Sequence, residues 1–282
     1  MVFNPPVQIV AKCAAAGTYK CGLTTQEMLI RGFMSGAYIA LGAALATVTF
    51  TGTADMLGVG VARLILGATF PVGLIITVLT GAELFTGDAM FGPLAALVHK
   101  TSWAAIMKLW VFVYIGNLIG SLFVAYMMAY GPLIAVDMKT GAVTATAFGT
   151  TAIAIANGKV AYGGLLSMWS LFLKAIGCNW LVNLAVFLGI SADDVVGKFF
   201  GIWFPIMAFV TIGFEHSVAN MYFLPAGLMT AANAGLTAHA NLTWIGMWTS
   251  NIILVTIGNI VGAMFFVAFL YWLGFKRELE AL

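Results

Sequence analysis

The chain has 282 residues, of which 62% are hydrophobic and 8% charged, and its formal net charge is +2. So little polar surface cannot coat a water-soluble globule, and the sequence reads as an integral membrane protein. The basic residues are scattered, which sets nucleic acid aside as a partner, and the three cysteines (Cys13, Cys21, Cys178) and three histidines (His99, His216, His239) lack metal-ligand spacing, so no metal and no cofactor is expected.

Residues 1–28 form a surface segment in which Val7, Val10, Ala14 and Cys21 recur at loosely helical spacing, with Lys12 and Lys20 between them. No apolar core there ends in a small-residue cleavage site, so a cleaved signal peptide is not expected and insertion falls to the first span. Span 1 runs from Arg31 to Phe50, with a small-residue face of Gly32, Ser35, Gly36 and Gly42 suited to close helix packing. Span 2 starts near Arg63, is interrupted after Glu83 and resumes from Ala89 to Val98. Either Asp88 caps the second half-helix, or Pro93 sits in its first turn with the cap near Gly92. Span 3 covers Lys108 to Tyr130. The stretch from Thr140 to Gly158 is uncharged but carries five threonines and three glycines, so the connection 131–164 is expected to be an extramembrane loop and not a seventh span. Span 4 is Leu171 to Ile190. Span 5 runs from Phe199 to a break at Gly213 and resumes around Tyr222 to Ala232, and span 6 fills Trp244 to Phe275 before a tail at 276–282.

The two breaks resemble each other. Gly81-Ala82-Glu83-Leu84-Phe85-Thr86-Gly87-Asp88 matches Gly213-Phe214-Glu215-His216-Ser217-Val218-Ala219-Asn220, followed by Phe91 against Phe223 and Pro93 against Pro225. Spans 3 and 6 share I-G-N-x-x-G, at Ile115 to Gly120 and Ile257 to Gly262, and Arg31-Gly32-Phe33 faces Lys174-Ala175-Ile176 at the start of each half. The chain is thus a single transmembrane domain of two repeats, 29–130 and 165–275, each of three spans. An odd number of spans makes the second repeat enter from the opposite side, so the repeats are inverted. Inversion brings the broken helices together at mid-depth, where half-helix N-termini favour an anion. Ionisable groups at that depth default to a functional reading. With the N-terminus inside, Lys12, Lys20, Arg31, Lys100, Lys108, Lys198, Lys276 and Arg277 fall on the cytoplasmic side, against Arg63, Lys139 and Lys159 outside, so both termini are expected to be cytoplasmic.

The GAELFTGD run, the segment Cys178-Asn179-Trp180-Leu181-Val182 and the run from Gly213 to Met221 resemble the formate/nitrite transporter family, from Gly32 to about Gly262. That resemblance implies an aquaporin-like protomer of six helices, a homopentamer with one pore per subunit, and the plasma membrane as its location. It implies that Thr86 and His216 face each other across the pore with Asn179 near the histidine. It places Leu74, Leu84 and Phe85 at a cytoplasmic constriction and Phe70, Phe209 and Val182 at an outer one. The family's vestibule lysine falls here on Gly163, which leaves Lys159 as the candidate for attracting the anion and Lys174 as an interfacial residue. Glu83 and Glu215 are expected to hold the loops by accepting backbone N–H bonds, since an ionised glutamate in the lumen would repel an anion, and Asp88 and Asn220 are expected to support the same loops.

The function expected is passage of a small monovalent anion or its neutral acid. Formate is first, because the lumen motifs offer small polar groups and no fixed arginine; nitrite and hydrosulfide fit the motifs equally well. A bare carboxylate crossing apolar constrictions loses hydration of order 20 kcal/mol in the ideal case and still several after relaxation. Keeping a small carboxylic acid neutral at pH 7 costs only about 4 kcal/mol, so protonation from His216, directly or through water, is the expected route. A water or glycerol channel is disfavoured by the missing Asn-Pro-Ala pairs. An enzyme is disfavoured because no nucleophile and base pair, metal set or phosphate loop appears.

Overall fold

The computed structural model describes residues 3–281; Met1, Val2 and Leu282, at the outer ends of the expected surface segment and tail, lie outside them. The chain opens with α1 (Pro6–Cys21), which starts on a proline whose missing N–H would have had no helical partner. Thr24 then starts α2 (Thr25–Phe50) with a capping box: its hydroxyl accepts the Glu27 N–H at 3.2 Å and the Glu27 carboxylate accepts the Thr24 N–H at 2.8 Å. The short α3 (Thr53–Leu57) leads into α4 (Val59–Thr69) and α5 (Val72–Thr80), which run on through Phe70 and Pro71, and a break precedes α6 (Phe85–Leu97). Ser102 caps α7 (Trp103–Ala129), accepting the Ala105 N–H at 3.2 Å.

An antiparallel hairpin of β1 (Ile134–Val136) and β2 (Val143–Ala145) and a helix α8 (Ala147–Val160) connect the halves. The second half holds α9 (Leu165–Ser191), α10 (Val195–Ile212), α11 (Ser217–Asn233) and α12 (Trp248–Gly274), then the short α13 (Lys276–Glu280). Two stretches of α12, Trp248–Ile252 and Met264–Phe269, are wound as π-helix. Six segments are long and apolar enough to cross a bilayer: Thr25–Phe50, Val59–Thr80, Trp103–Ala129, Leu165–Ser191, Val195–Ile212 and Trp248–Gly274.

The connection differs from the loop expected for it. The threonines that suggested a loop are satisfied inside α8: Thr146 caps it through the Gly149 N–H at 3.1 Å, and the Thr150 and Thr151 hydroxyls donate back to the Thr146 and Ala147 carbonyls at 3.2 and 3.1 Å. α8 packs on α11 so closely that a Cβ on Gly227 would fall 2.3 Å from the Ala156 Cβ.

Two helix pairs frame the molecule, α2 with α7 and α9 with α12, and each closes on glycine. A Cβ on Gly36 would lie 2.1 Å from the Asn117 carbonyl oxygen, and one on Gly262 would lie 2.3 Å from that of Ile176. Between the pairs, every residue from Phe85 to Ala95 and from Ser217 to Gly227 is buried. The two half-helices therefore form the centre of the protein, enclosed by the spanning helices.

Candidate functional site: two helix breaks that meet

Both breaks begin with a glycine in the left-handed region, Gly81 (φ 74) ending α5 and Gly213 (φ 87) ending α10. Both half-helices then start earlier than the sequence suggested, at Phe85 rather than Ala89 and at Ser217 rather than Tyr222. Neither Asp88 nor Gly92 caps α6. The Ncap residue is Leu84, whose side chain cannot cap, and the donor it leaves open is met from another helix: Asn117 Oδ1 on α7 accepts the Phe85 N–H at 2.9 Å. Asn117 Nδ2 donates to the Gly32 and Glu83 carbonyls at 2.8 and 2.9 Å.

The second break carries the same bonds. Asn259 Oδ1 accepts the Ser217 N–H at 2.8 Å, and its Nδ2 donates to the Ala175 and Glu215 carbonyls at 2.8 and 2.9 Å. The Glu83 N–H donates to the Arg31 carbonyl at 3.2 Å, and the Glu215 N–H to the Lys174 carbonyl at 3.3 Å.

These supports set Thr86 and His216 against each other, with Thr86 Oγ1 2.9 Å from His216 Nε2 and both side chains buried. His216 is also the Ncap of α11, its Nδ1 accepting the Ala219 N–H at 3.0 Å. The tautomer that satisfies both contacts is the neutral imidazole with its proton on Nε2, donating to Thr86 Oγ1. A second proton on Nδ1 would set two donors against each other. Asn179 stands behind the pair: its Nδ2 donates to the Thr86 carbonyl at 3.0 Å and to the Asn259 carbonyl at 2.7 Å, and Asn183, one turn on, donates to the same Thr86 carbonyl at 3.1 Å.

A cavity lies on each side of this contact, and the two share no lining residue. The one on the α1 side, of about 340 Å³, is lined among others by Leu74, Leu84, Gly87 and Asp88. The one on the far side, of about 320 Å³, is lined by Phe70, Phe209 and His216 among others. The Phe70 and Phe209 rings meet edge to face at 5.8 Å, and Phe209 stacks on the His216 ring at 6.0 Å.

Two residues sit away from their expected places. Val182 lines the α1-side cavity with Leu74 and Leu84, not the far side with the phenylalanines. Phe85 lines neither cavity; its ring is packed against Tyr114 at 4.8 Å and Trp110 at 6.0 Å.

The acidic residues also differ from expectation. Among the described residues Glu83 and Glu215 accept no backbone N–H. They take lysines instead, Glu83 a direct bond from Lys20 and Glu215 one from Lys159 at 2.8 Å. Carboxylates at this depth are stabilised by an ammonium more than by the dipole of an amide. Lys20 also reaches Asp88 at 3.4 Å, and Arg31 lies 3.8 Å from Glu83. Burial alone would pull Lys20 down, but the charges of Asp88 and then Glu83 outweigh it and hold the ammonium above the usual lysine range. At the position matching Asp88, Asn220 donates to Glu215 and to Asn251 Oδ1, both at 2.7 Å. Lys174, expected at the interface, lines the far cavity and donates to Tyr162 Oη at 3.1 Å.

Sequence reasoning missed the pairing of Lys20 with Glu83, the carbonyl-holding role of Asn117 and Asn259, and Asn183. The asparagines carried a signal, since both I-G-N-x-x-G motifs place a polar amide in an apolar span; the lysine carried none.

A family profile described as formate/nitrite transporter matches residues 7–273. A protein of Methanothermobacter thermautotrophicus, named a probable formate transporter, is 42% identical over 98% of this chain and 98% of its own length. A solved structure described as an FNT family ion channel superposes with a TM-score of 0.79 at 30% identity, covering 95% of this chain and 98% of that one. A second, described as a pentameric formate channel with formate bound, gives a TM-score of 0.74 at 30% identity over 89% of this chain and 98% of the other.

Proposed function

The chain belongs to the formate/nitrite transporter family, whose members are channels and transporters rather than enzymes, and on that premise we propose that it carries formate across the plasma membrane through the Thr86–His216 contact. The observation that carries this reading is the contact itself, a buried 2.9 Å hydrogen bond between two half-helix N-termini with a separate cavity on each side. Helix N-termini aimed at one point favour an anion. The apolar rings beside it, Leu74 and Leu84 on one side and Phe70 and Phe209 on the other, favour a neutral species.

The two demands are reconciled by protonation. The anion is attracted to a vestibule, takes a proton next to the apolar ring and crosses as the acid, at the roughly 4 kcal/mol cost given above rather than full desolvation. Because Nδ1 of His216 is occupied by the Ala219 N–H, the proton reaches the substrate through water, and the Nε2–H and Thr86 hydroxyl orient it at the centre. Formate as substrate is supported by the names of the similar proteins; nitrite and hydrosulfide, small and singly charged, are the alternatives.

The two halves, 29–130 and 165–275, are read as an inverted repeat. The reading is supported by the identical bonding of Asn117 and Asn259 and by odd spans per half. The α1 side is assigned to the cytoplasm, with both termini there, on the distribution of basic residues. A homopentamer with one pore per subunit is supported by the description of one solved relative as pentameric.

The test is uptake by proteoliposomes offered formate, nitrite, hydrosulfide, acetate and lactate at several pH values. Formate flux that saturates and rises as the medium is acidified is expected, with acetate and lactate slower. Absence of formate flux above protein-free liposomes would refute the assignment, and swelling in water alone as fast as in formate would favour a water channel.

A further inference from the structure

The charge of the two cavities is unequal. Lys20 and Arg31 line the α1-side cavity against two carboxylates, Glu83 and Asp88, whereas Arg63, Lys159 and Lys174 line the far cavity against Glu215 alone. The difference includes one position of the repeated run, where Asp88 is matched by the neutral Asn220.

The three far-side cations are not equally available. Lys159 is bound to Glu215 at 2.8 Å, with its ammonium 5.3 Å from the Phe223 ring centre. Lys174 is hydrogen-bonded to Tyr162 Oη at 3.1 Å and lies over that ring at 5.2 Å. Arg63 has no ion-pair partner and no side-chain hydrogen bond among the described residues, and it is exposed in the cavity.

Its guanidinium is held against the second break, where a Cβ on Gly213 would fall 2.6 Å from it. Along α4 and its continuation through Phe70, Arg63, Leu66 and Phe70 follow one another at i, i+3 and i+7 and all line the cavity. Arg63 thus precedes Phe70 by about two turns, roughly 10 Å along the helix axis. A guanidinium is always charged, weakly hydrated and shaped to grip a carboxylate with two N–H donors.

We propose that Arg63 is the residue that captures the carboxylate on the far side of the membrane, ahead of the Phe70 and Phe209 constriction. The proposal rests on the anion pathway inferred above and names the group that feeds it. One free cation in a concave site with low-dielectric walls raises the local anion concentration about tenfold, and its reach shrinks with the Debye length.

Formate transport is measured in sided vesicles carrying wild type, R63Q or R63K. For R63Q at about 10 mM salt the low-concentration permeability is expected to fall about three- to tenfold, by the same factor in both directions as detailed balance requires. The half-saturating concentration should rise only for transport starting on the far side. At about 0.5 M salt the difference from wild type should shrink below about twofold. R63K, which keeps the charge, should recover most of the permeability. An R63Q permeability equal to wild type at low salt, or a half-saturating concentration that rises equally from both sides, would overturn the role of Arg63. A wild type that carries no formate would instead overturn the pathway.

Discussion

Replacing Asn117 by Ala tests how the first break is held. Asn117 makes three bonds, accepting the Phe85 N–H at 2.9 Å and donating to the Gly32 and Glu83 carbonyls at 2.8 and 2.9 Å. Gly32 lies inside α2, whose own ladder keeps its carbonyl paired. The Phe85 N–H and the Glu83 carbonyl keep no such partner, and both belong to buried residues. Each buried group left unpaired costs about 1–3 kcal/mol, so the loss is about 2–6 kcal/mol. N259A should cost the same, because Asn259 accepts the Ser217 N–H at 2.8 Å and donates to the Glu215 carbonyl at 2.9 Å in the same arrangement. For a chain of this size that corresponds to a fall in Tm of about 5–15 °C. Tryptophan fluorescence during heating of the detergent-solubilised protein measures it, with formate flux beside it, since Thr86 directly follows the released Phe85 N–H. A Tm within about 2 °C of wild type in either variant would mean that the breaks do not depend on these amides.

Three further expectations follow from the same geometry. H216F removes both the donor to Thr86 and the helix cap; because the proton arrives through water, it should lower formate flux by a similar factor at every pH from 5.5 to 7.5, and a flux equal to wild type would reject the orienting role of this residue. Lys159 and Glu215 are only 15% and 7% exposed, so K159M or E215Q alone should cost about 3–5 kcal/mol by stranding a buried charge. The double variant should recover more than half of that loss in Tm, and strictly additive losses would contradict the pairing. Asp193, between α9 and α10, accepts from Asn4 Nδ2 at 2.9 Å and lies 3.6 Å from Lys12. The Asn4 bond, and then the Lys12 charge, holds its carboxyl below the usual range. With the folded pKa lowered, its hold on the N-terminal segment is complete above the ordinary aspartate pKa of about 3.9 and is lost as pH falls through the folded value. Hydrogen exchange in residues 3–12, corrected for intrinsic rate, should therefore stay slow from pH 7 to 5 and quicken only below about pH 4. Release at pH 6 would contradict the clasp.

The spans, their number and the two interruptions were legible in the sequence because charge is so scarce here that each glutamate marks a place. The pairing of Thr86 with His216 was legible only through the repeated runs and the family resemblance. Half-helix starts were misplaced because their caps carry little local signal: Leu84 cannot cap, and the acceptor for Phe85 comes from Asn117, thirty-two residues away on α7. α8 was hidden by threonines that bond back within their own helix. The ion pairs of Glu83 and Glu215 join residues 63 and 56 positions apart, beyond the reach of any periodicity. Val182 went to the wrong cavity because a helix that spans the membrane touches both, and its depth is set by packing.

The most direct test of proton-linked passage is to record formate uptake and external pH together in proteoliposomes held at defined membrane potentials. The account predicts that one proton enters with each formate, that the medium turns alkaline as uptake proceeds, and that the rate ignores the potential. Formate movement that follows the potential and takes no proton with it would contradict it.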